Sequence, residues 1–335
     1  MFFIIGLGFL GDICVIVLQI CNLWYNVGVN NLLRVFVERY YTVNKFLKDK
    51  FGERVLKISV DGGFTCPNRD GKCGYGGCIF CGDKGSGEGT KPGSVREQVL
   101  SHLESYRAER ANKFVVYFQN FTNTYDKVES LKAKYDECLV SDKIVALAIA
   151  TRPDCIDENI AELIASYKQR GLYVWVELGL QTVNEGVGKL INRGYSNIDF
   201  GNAVKILRKY DIDVVCHVMV GLPEEKADDI SNIVKFVNRQ DIKGIKIHST
   251  YVIEGTKLAR MYKNGEYKEL DVDDYIDKVI YILTHLRKDI VVHRITGDAP
   301  KDLLIAPSWN AHKKPVMNKI HKIMQSENLI QGMHL

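Results

Sequence analysis

The sequence predicts an α/β protein: a partial (βα)6 TIM-type barrel, laterally open, with a C-terminal α/β extension. Three observations predict it. From Val55 onward, short β-rich runs alternate with longer amphipathic stretches, the pattern of βαβ units around a parallel sheet. Six strands are counted, too few to close an eight-stranded barrel. No repeat or low-complexity linker interrupts the alternation, and 335 residues with 46% hydrophobic content suffice for one large core or two modest ones.

The strands are expected, in order, at VLKISVDGG (55–63), FVVYFQNF (114–121), IVALAIAT (144–151), YVWVELGLQT (173–182), VVCHVMVGLP (214–223) and GIKIHSTYVI (244–253). Each is a short run rich in β-branched and aromatic residues. Between them, SVREQVLSHLESYRAERAN, DENIAELIASYKQRG, FGNAVKILRKYD and KADDISNIVKFVNRQ carry apolar residues at helical spacing. Gly171 stands where a helix C-terminus expects a residue with positive φ. The expected division is an apolar extension over 1–38, the barrel over 39–255 and an extension closing it over 256–335.

The extension begins MFFIIGLGFLGDICVIVLQICNLWYNVG, nearly long enough to span a bilayer but carrying Asp12 within it. It lacks the basic start and small-residue cleavage site of a signal peptide. A membrane anchor over residues 2–24, a mis-assigned start and an ordinary docked helix all remain open. Nine cysteines are too few, and odd in number, for a disulfide scaffold, which points to a reduced, cytoplasmic protein. The net charge of +4 makes the whole chain no obvious polyanion binder. Lys313, Lys314, Lys319 and Lys322 cluster near the C-terminus, as a solvated helix end or an RNA-phosphate contact.

In barrels of alternating strands and helices, chemistry gathers at the C-terminal ends of the strands. Cys66 follows the first strand almost at once, which puts FTCPNRDGKCGYGGCIFCGDKGSG (64–87) at that face. Gly71, Gly74, Gly76, Gly77 and Gly82 let this loop wrap tightly and offer amide donors. Cys78 and Cys81 form a C-x2-C pair that can grip one metal or cluster. Four thiolates, Cys66, Cys73, Cys78 and Cys81, would suit zinc; three would suit a 4Fe-4S cluster. Cys14, Cys21, Cys138, Cys155 and Cys216 read as small buried hydrophobes or bystanders.

DGGFTCPNRDG followed by GGCIFC resembles the radical S-adenosylmethionine (SAM) superfamily, in the subgroup near the catalytic subunit of Elongator and small bacterial relatives. The resemblance runs from about Arg39 to about Lys314 through YFQNFTNTYD, ATRPDC, WVELGLQT, INRGY, HVMVGLPEE and GIKIHSTYVIEGTKLARMYKNGEY. Family spacing resembles C-x11-C-x2-C, which implies Cys66, Cys78 and Cys81 as cluster ligands. Cys73 departs from that pattern, so the shorter set Cys73, Cys78 and Cys81 stays open. The resemblance implies a 4Fe-4S cluster and SAM as cofactors, with SAM chelating the open iron and cleaving reductively to a 5′-deoxyadenosyl radical. It also implies a one-electron reductant of flavodoxin or ferredoxin type.

Gln119, Glu177, Gln181, Arg193 and Gly221 are the expected cofactor contacts. Gln119 and Asn120 end the second strand; Glu177 and Gln181 share one face of the fourth. A buried Glu177 needs a partner, for which Arg193 is a candidate. HVMVGLPEE resembles the strand-five block that packs against the adenine, which implies that Gly221 permits close approach there, and Pro223 ends the strand. Arg152 and Asp154 read as a strand-end salt bridge or a carboxylate site. His217, Lys246 and His248 alternate on strands five and six and can line the cavity, although a lone strand histidine and Met219 also suit a core. VVHRITGDAPKDLLIAPSWNAHKK does not extend the barrel pattern, yet carries His293, Arg294, Asp298 and Trp309; His293 and Arg294 are the candidate catalytic residues.

The function implied is a radical SAM enzyme modifying the wobble-uridine side chain of tRNA, without the acetyltransferase domain of Elongator's subunit. A radical SAM enzyme acting on a metabolite or protein side chain, and a non-catalytic cluster or zinc module, are the alternatives.

Overall fold

The structure, a computed structural model, describes residues 38–83, 85, 90–105 and 108–335. The N-terminal apolar stretch, with its anchor and start-site readings, lies outside the described residues. Arg39–Leu335 forms one compact unit. Among the described residues, no helix is long and apolar enough to cross a membrane.

Six strands form where the β-rich runs predict them: β1 (Val55–Val60), β2 (Lys113–Phe118), β3 (Ile144–Thr151), β4 (Tyr173–Gln181), β5 (Asp213–Val220) and β6 (Gly244–Ser249). A two-residue β7 (Val252–Ile253) pairs antiparallel with β9 (Leu304–Ala306). The difference from expectation is β8 (Val291–Arg294), which lies in the segment read as outside the barrel pattern. It pairs parallel with β6 and makes a seven-stranded sheet of order β1-β2-β3-β4-β5-β6-β8. Four residues, two of them His and Arg, give no apolar alternation by which to recognise a strand. The result is an open, curled sheet whose edges are β1 and β8.

Helices cover one face of this sheet, and their starts follow from local chemistry. Ser94 and Ser196 form capping boxes with Glu97 and Asp199, and Asp157 caps the helix Glu158–Gln169 through the Ile160 amide. Gly171, at φ 88°, ends that helix as expected. Val116, Phe118, Ile149, Val176, Leu178 and Val218 face the helices in the large core. The alternate residues Val115, Ala146, Ala148, Trp175 and Val215 face inward. The helix Val43–Phe51 buries Leu47 against this inner cluster, filling the end of the barrel where the strands begin. Three alanines on β3 replace the bulky branched residues that normally fill a barrel interior, leaving room above them.

Candidate active site

The cysteine loop leaves β1 and folds back on itself through backbone hydrogen bonds. Arg69 N donates to Cys66 O (2.8 Å), Gly77 N to Asn68 O (2.8 Å) and Cys81 N to Cys78 O (3.0 Å). Asn68, fully buried, donates to Asn192 O at 2.5 Å, and Asn192 donates back to Gly77 O at 2.8 Å. Ile79 N bonds Ile191 O (3.1 Å), and Leu258 N bonds Ile79 O (2.8 Å). INRG and the segment after β7 therefore hold the loop from two sides. Gly74 is required here because a Cβ would collide with Asn68 Oδ1.

Cys66, Cys78 and Cys81 line one cavity at the C-terminal ends of the strands, with Gln119, Gln181 and Arg152. Cys73 is exposed and lies beside Asp154, Sγ to Oδ2 3.8 Å. The Cys78 thiol donates to Cys81; that bond and burial push Cys78 up. The same bond, aided by the Arg69 guanidinium, favours a thiolate at Cys81. Among the described residues, no three His, Cys, Asp or Glu side chains converge tightly enough for a single ion. A cubane cluster takes one thiolate per iron and spaces its ligands more widely. The wall also holds polar atoms without a protein partner, Thr122 Oγ1 and His248 Nε2. Three thiols and unsatisfied polar groups around one cavity fit an iron-sulfur cluster with a polar ligand beside it.

At the floor of the cavity the inner face turns ionic. Glu177, 1% exposed, accepts from Trp175 Nε1 (3.0 Å), bonds His217 Nε2 (2.8 Å) and pairs with Lys246, whose ammonium also donates to Tyr117 Oη (3.1 Å). Burial opposes ionisation of Glu177, but Lys246 and His217 outweigh it and hold the carboxyl well below its ordinary range. The expected pairing of Glu177 with Arg193 is not formed.

Arg193 instead donates to Leu180 O (2.8 Å), Thr182 O (2.6 Å) and Tyr195 O (2.9 Å) and pairs with Glu185 (2.9 Å). It is fully buried and does not line the cavity; it is the clasp that holds the turn after β4, since those carbonyls have left the sheet ladder. Arg193→Met is expected to lower stability by roughly 2–4 kcal/mol by orphaning these acceptors. Thermal unfolding of the purified variant measures it. Gly221 also differs from expectation: its φ of 87° and its close approach serve Leu270, not the cavity. Tyr267 donates to its carbonyl at 2.7 Å.

Gln181 reaches the cavity where β4 slips register against β5, between Gly179 and Gln181, with φ 64°. Arg152 makes the bidentate strand-end pair with Asp154 at 2.9 and 2.7 Å and donates to Arg193 O. Asn120 is taken up by Asp61 at 2.5 Å. His293 lies deeper, edge-on to Trp175 (5.8 Å), and lines no part of the cavity. Trp309 packs at a tilt against Tyr275, ring centroids 5.1 Å apart, at the core margin. A register slip between β6 and β8 brings Arg294 opposite Lys246, where it meets Asp298 at 3.6 Å. Tyr117 and Tyr195, also on the cavity wall, were missed by sequence reasoning, although Tyr117 and Gln119 share the inward alternation of β2.

Burial lowers His217 to about 4 and His293 to about 3, and pushes His248 down as well. In the folded state these histidines stay neutral where the unfolded chain, near pH 6.5, takes up protons. The unfolded state then binds more protons, so stability falls as pH falls from about 6.5 towards 4. Glu177, depressed in the fold, adds loss in the same direction below its unfolded value. Denaturant unfolding at stepped pH is expected to show this slope, reduced in His293→Gln.

Residues 68–237 match the radical SAM superfamily and residues 242–326 the radical SAM C-terminal domain. YtqA of Bacillus subtilis is 38% identical over 300 residues, covering 88% of this chain and 92% of its own. A tRNA uridine(34) acetyltransferase of Methanocaldococcus infernus is 24% identical, over 92% of this chain and 65% of its own. The solved archaeal Elp3 of Methanocaldococcus infernus, lacking residues 1–46, superposes with a TM-score of 0.64 at 22% identity. That match covers 83% of this chain and 64% of Elp3, so this chain spans less than two thirds of that protein's length. The open parallel sheet, the cysteine-lined cavity at its C-terminal edge and these matches make the chain a member of the radical SAM superfamily, whose cofactors are a 4Fe-4S cluster and SAM.

Proposed function

We propose that this radical SAM enzyme holds its cluster through Cys66, Cys78 and Cys81 and modifies the wobble-uridine side chain of tRNA. The observation that carries the ligand assignment is that these three thiols share one cavity while Cys73 is exposed beside Asp154. When bound and reduced, the cluster with SAM supplies a 5′-deoxyadenosyl radical that takes a hydrogen atom from substrate.

The chain's own residues hold and shield. Cys81, favoured as a thiolate, and its two partners take the metal side of the cavity. Gln119 and Gln181 offer amide groups to the polar end of SAM, and Thr122 Oγ1 and His248 Nε2 gain the partners they lack. Phe121, Tyr195 and Met219 wall the space from water, which protects a reactive intermediate. Glu177 and Lys246 offset each other, so the floor carries fixed dipoles rather than a free charge beside the reacting centre. An electron enters from a one-electron reductant of flavodoxin or ferredoxin type.

The tRNA reading is supported by the relative named for acetylating tRNA uridine 34 and by the fold shared with Elp3. Reconstituted holoenzyme with SAM, dithionite and unmodified tRNA is expected to change the mass of the wobble nucleoside. Its tRNA affinity is expected to fall steeply with added salt. A flat salt response and an unchanged nucleoside would remove nucleic acid as the substrate.

A further inference from the structure

The two edges of the open sheet carry an excess of positive charge that the ion pairs do not absorb. Lys57 stands on edge strand β1, with its ammonium 4.4 Å from the Tyr117 ring centroid; the Lys246 ammonium is 4.2 Å from the same ring. Lys246 is balanced by Glu177. Lys57 has no hydrogen bond or ion pair among the described residues, and lies within electrostatic reach of Glu177, Arg294, Asp298 and Lys313. On the opposite edge, Asp298 is shared: Lys313 takes it at 2.6 Å and Arg294 at 3.6 Å. At the mouth between the sheet edges β1 and β8, Arg294 and Lys313 thus share a single carboxylate, while Lys57, over the same Tyr117 ring as Lys246, has none among the described residues.

Cations gathered at a partly enclosed site are stabilised by an anion, and a guanidinium flanked by ammonium groups suits a multiply charged oxyanion. The slip that adds one residue to β8 is what turns Arg294 to this mouth beside Lys246. A plain surface network would need no such re-aiming, and would not leave Lys57 without a carboxylate.

We infer that the lateral mouth formed by Lys57, Arg294 and Lys313 binds a phosphate group of the substrate, with Asp298 as the displaceable internal occupant. The inference rests on the reading of the barrel as the substrate site, and is independent of wobble uridine as the target. Arg294 is then a substrate-binding residue rather than the catalytic candidate the sequence offered.

The test is isothermal titration of inorganic phosphate into reconstituted holoprotein at fixed ionic strength, with acetate as a second arm and cluster absorbance as the check on folding. Saturable phosphate binding is expected, weakened at least tenfold in Lys57→Met and in Arg294→Met, and unchanged in Lys322→Met, at an exposed position of the helix Lys313–Ser326. Asp298→Asn is expected to tighten it several-fold, a gain that damage to the fold would not produce. No saturable binding, equal binding of acetate, or equal loss in Lys322→Met would each overturn the inference. Because phosphate is titrated without SAM or tRNA, this result stands apart from the outcome of the tRNA experiment.

Discussion

Alanine at Cys66 is expected to abolish 5′-deoxyadenosine formation from SAM and to leave the anaerobically reconstituted protein without its 4Fe-4S absorbance. Cys78→Ala and Cys81→Ala are expected to do the same, while Cys73→Ala keeps both signals. The reason is positional. Cys66, Cys78 and Cys81 line the same cavity, whereas Cys73 is exposed beside Asp154, with its amide bonded to Pro67 O at 2.8 Å. A cluster lost in Cys73→Ala but retained in Cys66→Ala would move the assignment to the shorter C-x4-C-x2-C set. Iron content, read beside product, separates a lost cluster from a cluster that no longer cleaves SAM.

Glu177→Gln is expected to cost about 3–5 kcal/mol of stability, the usual consequence of removing one member of a buried ion pair. The substitution keeps the shape of the side chain and removes the charge that balances Lys246, which is 2% exposed. It also weakens the bonds from His217 and Trp175. Lys246→Met added to Glu177→Gln is expected to recover much of the loss, because the stranded ammonium is gone. Thermal and denaturant unfolding of the two variants decides it. A single-variant cost below about 1 kcal/mol would mean that Lys246 finds another counter-charge or loses its proton without penalty.

Much of the barrel was legible because its strands are buried on both faces and its helices on one. VVYF and ALAI are continuous apolar runs, and VWVELGL is one broken only by Glu177, as a covered parallel sheet accommodates. β8 was not legible, because its hydrogen bonds to β6 come from a pairing nearly fifty residues distant and its own side chains include His293 and Arg294. Arg193 misled for a related reason. An arginine in NRGY carries the chemistry of a ligand contact, and nothing local says that Leu180 and Thr182 will turn their carbonyls towards it. Gly221 shows the same limit: positive φ is foreseeable at a strand end, but not that Leu270 fills the space beside it.

The sequence by itself determined the alternation of strands and helices, the face on which the cysteine loop sits, and the family through the order of its motifs. These depend on short-range periodicity and on residue types at fixed spacing, both of which survive in one dimension. Only the tertiary structure decided that Cys66 rather than Cys73 shares a cavity with Cys78 and Cys81, that Glu177 is balanced by Lys246 and His217, and that a register slip sets Arg294 opposite Lys246. Those are contacts between residues far apart in the chain. Their free energies depend on burial and on which charge has no other partner, and neither exists until the sheet has curled.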